Sequence, residues 1–248
     1  MFDLSNELGV QSFCFRAFAK NEEVIQCVKD VGLSKIEICQ KHVDFSNEAL
    51  FEQAIGLYKK AGVGIVSIGV QTLAGKPEVE EKYFKFVQMA GAKFMSVSFA
   101  LKAVPAVYRM AEKFADKYDI RLGIHNHGGK HWLGTSEMLQ HVFSQTSERI
   151  GLCLDTAWAL DSREDPIKMV QVFAKRLYGV HFKDFVFDRA RKPEDVVVGT
   201  GNLNLPALLK GMKEVNFNGY AVLEYEGDVN NPVPAVKHCV EAIRQTAA

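Results

Sequence analysis

The chain has 248 residues, with 30 Lys+Arg balanced by 30 Asp+Glu, 48% hydrophobic and 24% charged residues. That composition speaks against a disordered chain, which needs low hydrophobicity and high net charge. It speaks equally against nucleic acid or an anionic membrane as main partner, because both select a basic excess. No apolar stretch approaches the roughly 20 residues of a membrane span. The segment Met1-Phe2-Asp3-Leu4-Ser5-Asn6-Glu7 has acids where a secretion signal carries a basic region. The cysteines Cys14, Cys27, Cys39, Cys153 and Cys239 are odd in number and widely spaced. Cys39 and Cys153 read as small buried hydrophobes, and a reducing cytoplasm is the expected compartment.

Short apolar runs alternate with amphipathic stretches along the whole chain. Eight runs read as strands: 8–13, 35–38, 64–68, 94–98, 121–125, 151–155, 177–181 and 220–224. Between the first pairs lie helical patterns. Glu22 to Val31 places Val24, Cys27, Val28 and Val31 on one face, and Leu50 to Ala61 places Leu50, Ala54, Leu57 and Ala61 likewise. Gly32, Gly62, Gly91 and Gly219 stand at helix-to-strand joints, where a left-handed C-cap is expected. The strand ends recur roughly every 26 to 32 residues, with one gap of 43 before the last. A strand–helix unit needs about 30 residues. The gap holds 185–205, rich in Asp, Arg, Pro and Gly, which reads as a long loop. An open doubly wound sheet fits the alternation, but polar residues end most strands instead of gathering at one switch point. The expected fold is therefore α/β, a (β/α)8 TIM barrel in a single domain over 1–248.

Side chains at strand C-termini converge on one face of such a barrel. Four successive strands end there in His125, Asp155, His181 and Glu224, each after residues that read as buried. Two carboxylates buried together cost several kcal/mol unless a cation compensates them. Two imidazoles with two carboxylates suit one divalent ion of the Mn, Zn, Fe or Co kind. The plainer alternative is four separately satisfied polar residues.

The runs Leu152-Cys153-Leu154-Asp155-Thr156, Val180-His181-Phe182-Lys183-Asp184 and Val222-Leu223-Glu224-Tyr225-Glu226, with the loop from Val198 to Leu209, resemble the xylose-isomerase-like TIM barrel superfamily. That group holds sugar (phosphate) isomerases and epimerases, inosose-processing enzymes and the endonuclease IV branch. The resemblance implies a metal site in which Asp155, His181 and Glu224 match, with Mg added to the ions considered. Its fifth-strand Glu is here His125, of His125-Asn126-His127, so a symmetric two-glutamate proton transfer is in doubt. Trp158 stands where many members carry His, and indole offers no lone pair to a metal. With neutral net charge, this disfavours a DNA-repair role.

Other residues follow from position. His127, two past His125, is a candidate general acid or base, or else a hydrogen-bonding support for the ligands. Lys183 is a candidate to steady an enolate oxygen, or a simple partner of Asp184. Glu37 resembles the family's strand-two acid and is expected to hold a substrate hydroxyl, the alternative being a pair with Lys41 or His42. Phe13, Phe15, Trp132 and Trp158 are candidate walls for a sugar ring. His131, His141 and His238 read as surface residues, and Gly128-Gly129 as a turn without a nucleotide signature.

The expected activity is metal-dependent isomerisation or epimerisation of a sugar, keto-sugar or cyclitol by proton abstraction next to a carbonyl, with Glu224, His127 or both carrying the proton. A lyase or deglycosidase acting on a 3-keto sugar is the rival, and a non-catalytic sugar-binding barrel the third reading. Phosphate on the substrate stays open at this stage, given Lys183, Arg189, Arg191 and Lys192. The partner is a small carbohydrate, with a homo-oligomer allowed.

Overall fold

The computed structural model describes residues 3–247. Met1 and Phe2, which head the N-terminal segment read above, and Ala248 lie outside the described residues. The strands are β1 Leu8–Gln11, β2 Lys35–Ile38, β3 Gly64–Ile68, β4 Gln71–Leu73, β5 Phe94–Phe99, β6 Arg121–His125, β7 Ile150–Asp155, β8 Leu177–Phe182, β9 Asp184–Phe187, β10 Pro193–Val196 and β11 Tyr220–Leu223. Nine of them pair in the order β3-β2-β1-β11-β8-β7-β6-β5-β4, all parallel. β3 and β4 follow one another across Gly69 and Val70, so the ring is a nearly closed (β/α)8 barrel whose third stave is split in two. All eight runs read from sequence are staves. No helix among the described residues is long and apolar enough to cross a membrane.

The floor of the barrel explains why two staves carry glycine. Residues i and i+2 of a strand share a face, so Gly123 lies one step below His125 and Gly179 one step below His181. A Cβ on Gly123 would sit 2.6 Å from the Phe94 ring, and one on Gly179 2.8 Å from it. The missing side chains admit Phe94, which stacks on Tyr220 at 4.7 Å. Burying such a ring stabilises the barrel by about 1.5–3 kcal/mol. It also gives the polar layer above a dry base.

Three expectations change. The helix Phe51–Lys60 buries Phe51, Ala54 and Tyr58, while Leu50 is 43% exposed. The inward face is thus turned by one residue, because the two aromatics bring more apolar surface than Leu50 and Leu57. Gly32, Gly62 and Gly91 do cap with φ of 75°, 73° and 76°. Gly219 does not: its need is space, since a Cβ there would lie 2.2 Å from the Tyr178 carbonyl, and Asn216 takes the left-handed turn at φ 53°. The segment 185–205 is not plain loop, for β9 and β10 pair antiparallel with Phe185 opposite Asp195.

Candidate metal centre

β6, β7, β8 and the residue after β11 bring His125, Asp155, His181 and Glu224 to one point on the barrel axis. One ligand-type atom from each lies within 4.8 Å of the others, and all four residues are buried. His125 Nε2 is 3.1 Å from His181 Nδ1, 3.4 Å from Asp155 Oδ2 and 3.6 Å from Glu224 Oε2. His181 Nδ1 is 3.1 Å from the same Glu224 oxygen.

Local structure aims each group. Asp155 ends β7 and caps the next helix, Thr156–Asp161, its Oδ1 accepting from Trp158 N at 2.8 Å. Its other oxygen, Oδ2, is buried with no hydrogen-bond partner. Asn126 ties the adjoining strand ends, donating to the Asp155 carbonyl at 3.0 Å and accepting from its N–H at 2.8 Å. Sequence reading missed that role.

Glu37 is fully buried and does not line the cavity. Its Oε1 accepts from Gln11 Nε2 at 2.5 Å and Ser96 Oγ at 3.0 Å, and lies 3.1 Å from His181 Nε2. It pairs with neither Lys41 nor His42. A carboxylate this close to the far nitrogen of a candidate ligand imidazole would favour the Nε2–H tautomer and leave Nδ1 of His181 toward the centre.

Electrostatics here are dominated by burial and by mutual pairing. Burial opposes the charged form of His125, yet Asp155 and Glu224 outweigh it and raise its pKa. Burial likewise opposes protonation of His181, yet Cys153 and Glu37 win, and its pKa stands well above the imidazole value. Burial would raise Glu224, but Lys183, His125 and His181 hold it well below the carboxylate range. The acids of this centre therefore demand positive charge.

The donor set fits a divalent ion. A buried carboxylate oxygen without a hydrogen-bond partner is unfavourable without a cation nearby, and the two imidazole nitrogens at 3.1 Å could give up their shared hydrogen for a common ion. Metal bonds of about 2.0–2.2 Å place neighbouring ligand atoms roughly 3–3.5 Å apart; four of the pairs here stand at 3.1–3.6 Å, and all four atoms lie within 4.8 Å of one another.

Above the centre opens a cavity of about 560 Å³, walled by Phe13, Trp158, His127, Lys41, Glu224 and Glu226 among others. His127 Nδ1 is 3.4 Å from His125 Nδ1. Burial, then the His125 charge, push its pKa down to about 3, so it is a neutral base. Phe15 is wholly buried, and Trp132 donates to the Phe99 carbonyl at 3.0 Å; neither lines the cavity. Lys183 is wholly buried too, its ammonium on Glu226 and 3.6 Å from Asp195. His141 and His238 are exposed as read, but His131 is half-buried, its ring 5.2 Å from that of His127. A larger cavity of about 880 Å³ opens at the opposite barrel end, where Lys35 meets Glu7 and Lys93 meets Asp119. Five basic and three acidic residues line it, and its acids Glu7 and Asp119 are already paired with Lys35, Lys93 and Arg149.

A nearly closed parallel barrel with His, Asp, His and Glu converging at its mouth defines a class of protein, the TIM barrels with a candidate metal centre. The family described as "Xylose isomerase-like TIM barrel" matches residues 25–246, and the chain belongs to it. The rhizopine catabolism protein MocC of Rhizobium meliloti is 30% identical over 139 residues, covering 50% of this chain and 42% of that protein. An inosose dehydratase of Clostridium botulinum is 25% identical over 142 residues, covering 50% and 47%. The match therefore spans about half the length of these relatives. The solved 3-keto-D-glucoside 4-epimerase of E. coli superposes with TM-score 0.76 at 17% identity, over 96% of this chain and 98% of that one. That likeness shows the fold alone.

Proposed function

We propose that the chain is a divalent-metal-dependent enzyme that removes the proton next to the carbonyl of a keto-sugar or keto-cyclitol, and that elimination follows. His125, Asp155, His181 and Glu224 would hold the ion. Once bound, it supplies the Lewis acidity that acidifies the neighbouring C–H and steadies the oxyanion.

The observation that carries this reading is a neutral imidazole on the cavity wall beside the centre. Glu224 lies against His125 and His181, and Glu226 is paired with Lys183. His127 alone is a neutral imidazole facing the cavity. It takes the α-proton through its free ring nitrogen and returns it to the departing β-hydroxyl on the same face. The C–H and C–O bonds break, a C=C bond forms and water leaves. Epimerisation needs carriers on both faces, and His125 stands where the second carboxylate would be. Same-face isomerisation also runs on one imidazole and is the second reading. The name inosose dehydratase among the relatives favours elimination. Trp158 and Phe13 would cover the apolar face of the ring.

Incubation of the manganese-loaded protein with an inosose in D₂O tests this. Loss of water to an enone-type product supports elimination, and solvent deuterium in a recovered isomer supports the second reading. His127→Asn should lower kcat about 10²–10⁴-fold with metal content unchanged. Full activity in that variant overturns the assignment.

A further inference from the structure

We infer that Glu226, fixed in place by Lys183, anchors a substrate hydroxyl and makes the site select an uncharged polyol over a phosphorylated one. This rests on the function proposed above and names its substrate class.

Glu226 lies two residues beyond Glu224, and both line the cavity. Its side chain is 33% exposed, whereas that of Lys183 is 0% exposed. Lys183 therefore cannot meet the substrate itself. Its ammonium sits behind Glu226, on Oε1, and 3.6 Å from Asp195 on β10. Burying a lysine and two acids is costly unless the geometry is good, and one effect of this arrangement is a carboxylate with a fixed rotamer. One oxygen of Glu226 is committed to Lys183. No other hydrogen bond to its carboxylate is found among the described residues, and a carboxylate on a cavity wall accepts hydrogen bonds from hydroxyls and repels an anion.

An anion-binding loop and two arginines near the site are engaged elsewhere, and exposed Arg189 and Lys192 do not line the cavity. The amides of Gly199, Gly201 and Leu203 form an anion-binding loop of the kind phosphates use. The Asp184 carboxylate already fills it, at 3.0, 2.9 and 2.9 Å. Arg16 donates to the Phe13 and Glu226 carbonyls and stacks on Phe13. Arg191 donates to the Leu160 carbonyl and stacks on Phe187 at 4.0 Å. Among the described lining residues, Lys41 is the only Lys or Arg side chain, and it is exposed.

The test is titration calorimetry of the manganese-loaded protein with an inosose, and with D-fructose against D-fructose 6-phosphate. Wild type should prefer the unphosphorylated member. Glu226→Gln should weaken inosose binding roughly 10- to 100-fold, the range of a charge-assisted hydrogen bond. KM should rise while kcat moves less than about threefold, metal stays at one ion per chain by elemental analysis, and the preference for D-fructose narrows. Lys183→Met should reproduce the KM effect, and the double variant should add little to Glu226→Gln. If Lys183→Met does not fold, Glu226→Gln decides alone. Unchanged inosose binding in Glu226→Gln, or tighter binding of the phosphorylated sugar by wild type, overturns this assignment and leaves the proposed reaction standing. Wild type that takes up no metal and binds none of these probes removes both.

Discussion

Glu37→Gln separates the orientation of a ligand from its identity. Glu37 touches no ligand-facing space: it is wholly buried, with Oε1 3.1 Å from the Nε2 of His181. Glutamine keeps the size of the side chain, and its carbonyl still accepts from Gln11 and Ser96. What disappears is the negative charge that favours the Nε2–H tautomer and makes Nδ1 a better donor to a cation. Partners of this kind contribute about 10- to 100-fold in metal affinity, or roughly 1.4–2.8 kcal/mol. The new amide N–H groups replace an oxygen, Oε2, that has no hydrogen-bond partner. Burying them costs the fold about 1–3 kcal/mol, so thermal melts in excess chelator must come first. Affinity for manganese and zinc is then read by competition with a chromophoric chelator. Loss of at least tenfold in affinity with an intact melt is the expected result. Affinity within twofold of wild type, in a folded variant, would show that something other than Glu37 orients His181.

Two further outcomes follow from burial elsewhere. Asp184→Asn leaves at least one of the Gly199, Gly201 and Leu203 amides facing an NH₂ group, because one carbonyl cannot replace two acceptor oxygens. The loss is about 1–3 kcal/mol, or a fall in Tm of roughly 2–12 °C for a chain of this size, and a melt unchanged within 1 °C refutes it. His42 is bound between Ser12 Oγ at 3.0 Å and the Phe18 carbonyl at 3.1 Å, and burial lowers its pKa from the usual 6.5. The folded state therefore refuses a proton that the unfolded chain accepts, so stability is complete above about pH 6.5 and falls as pH drops below it. Urea midpoints at pH 7.5 and 5.5 should converge in His42→Gln relative to wild type; an equal pH effect in both removes His42 as a cause.

The staves and the four converging side chains were legible because alternation and spacing report direction. A residue at a strand end, two steps above a small inward neighbour, faces the axis whatever surrounds it. Depth is not carried by that pattern. Glu37 and Lys183 share the inward face, which makes each a candidate substrate group or an ion-pair partner, and the structure sets both behind the wall, one beside His181 and one beside Glu226. Glu226 could have been read by counting two on from Glu224. The hairpin of β9 and β10 stayed hidden because its strands are four residues each, partly exposed and set in turn-forming composition. His131 reads as a surface residue in sequence, and only the fold of its loop lays it against His127.

The insertion after the seventh stave backs the site's wall: Phe185 packs on Trp158, and Asp195 reaches the ammonium that holds Glu226. β8 runs straight into it: His181 faces the centre, Lys183 turns under the wall, and Asp184 opens the hairpin while holding the loop from Gly199 to Leu203. The return strand β10 brings Asp195 to the same ammonium. Burial pushes Asp195 up to about 7, against the pull of Lys183. Lys183 thus stands between acids from three sources: Glu224 and Asp155 at the centre, Glu226 on the wall and Asp195 on the hairpin. Removing it would leave buried carboxylates facing one another, and the hairpin would lose its electrostatic reason to lie against the barrel. Order in the hairpin and order in the pocket wall are therefore one property, coupled through a lysine that touches no substrate.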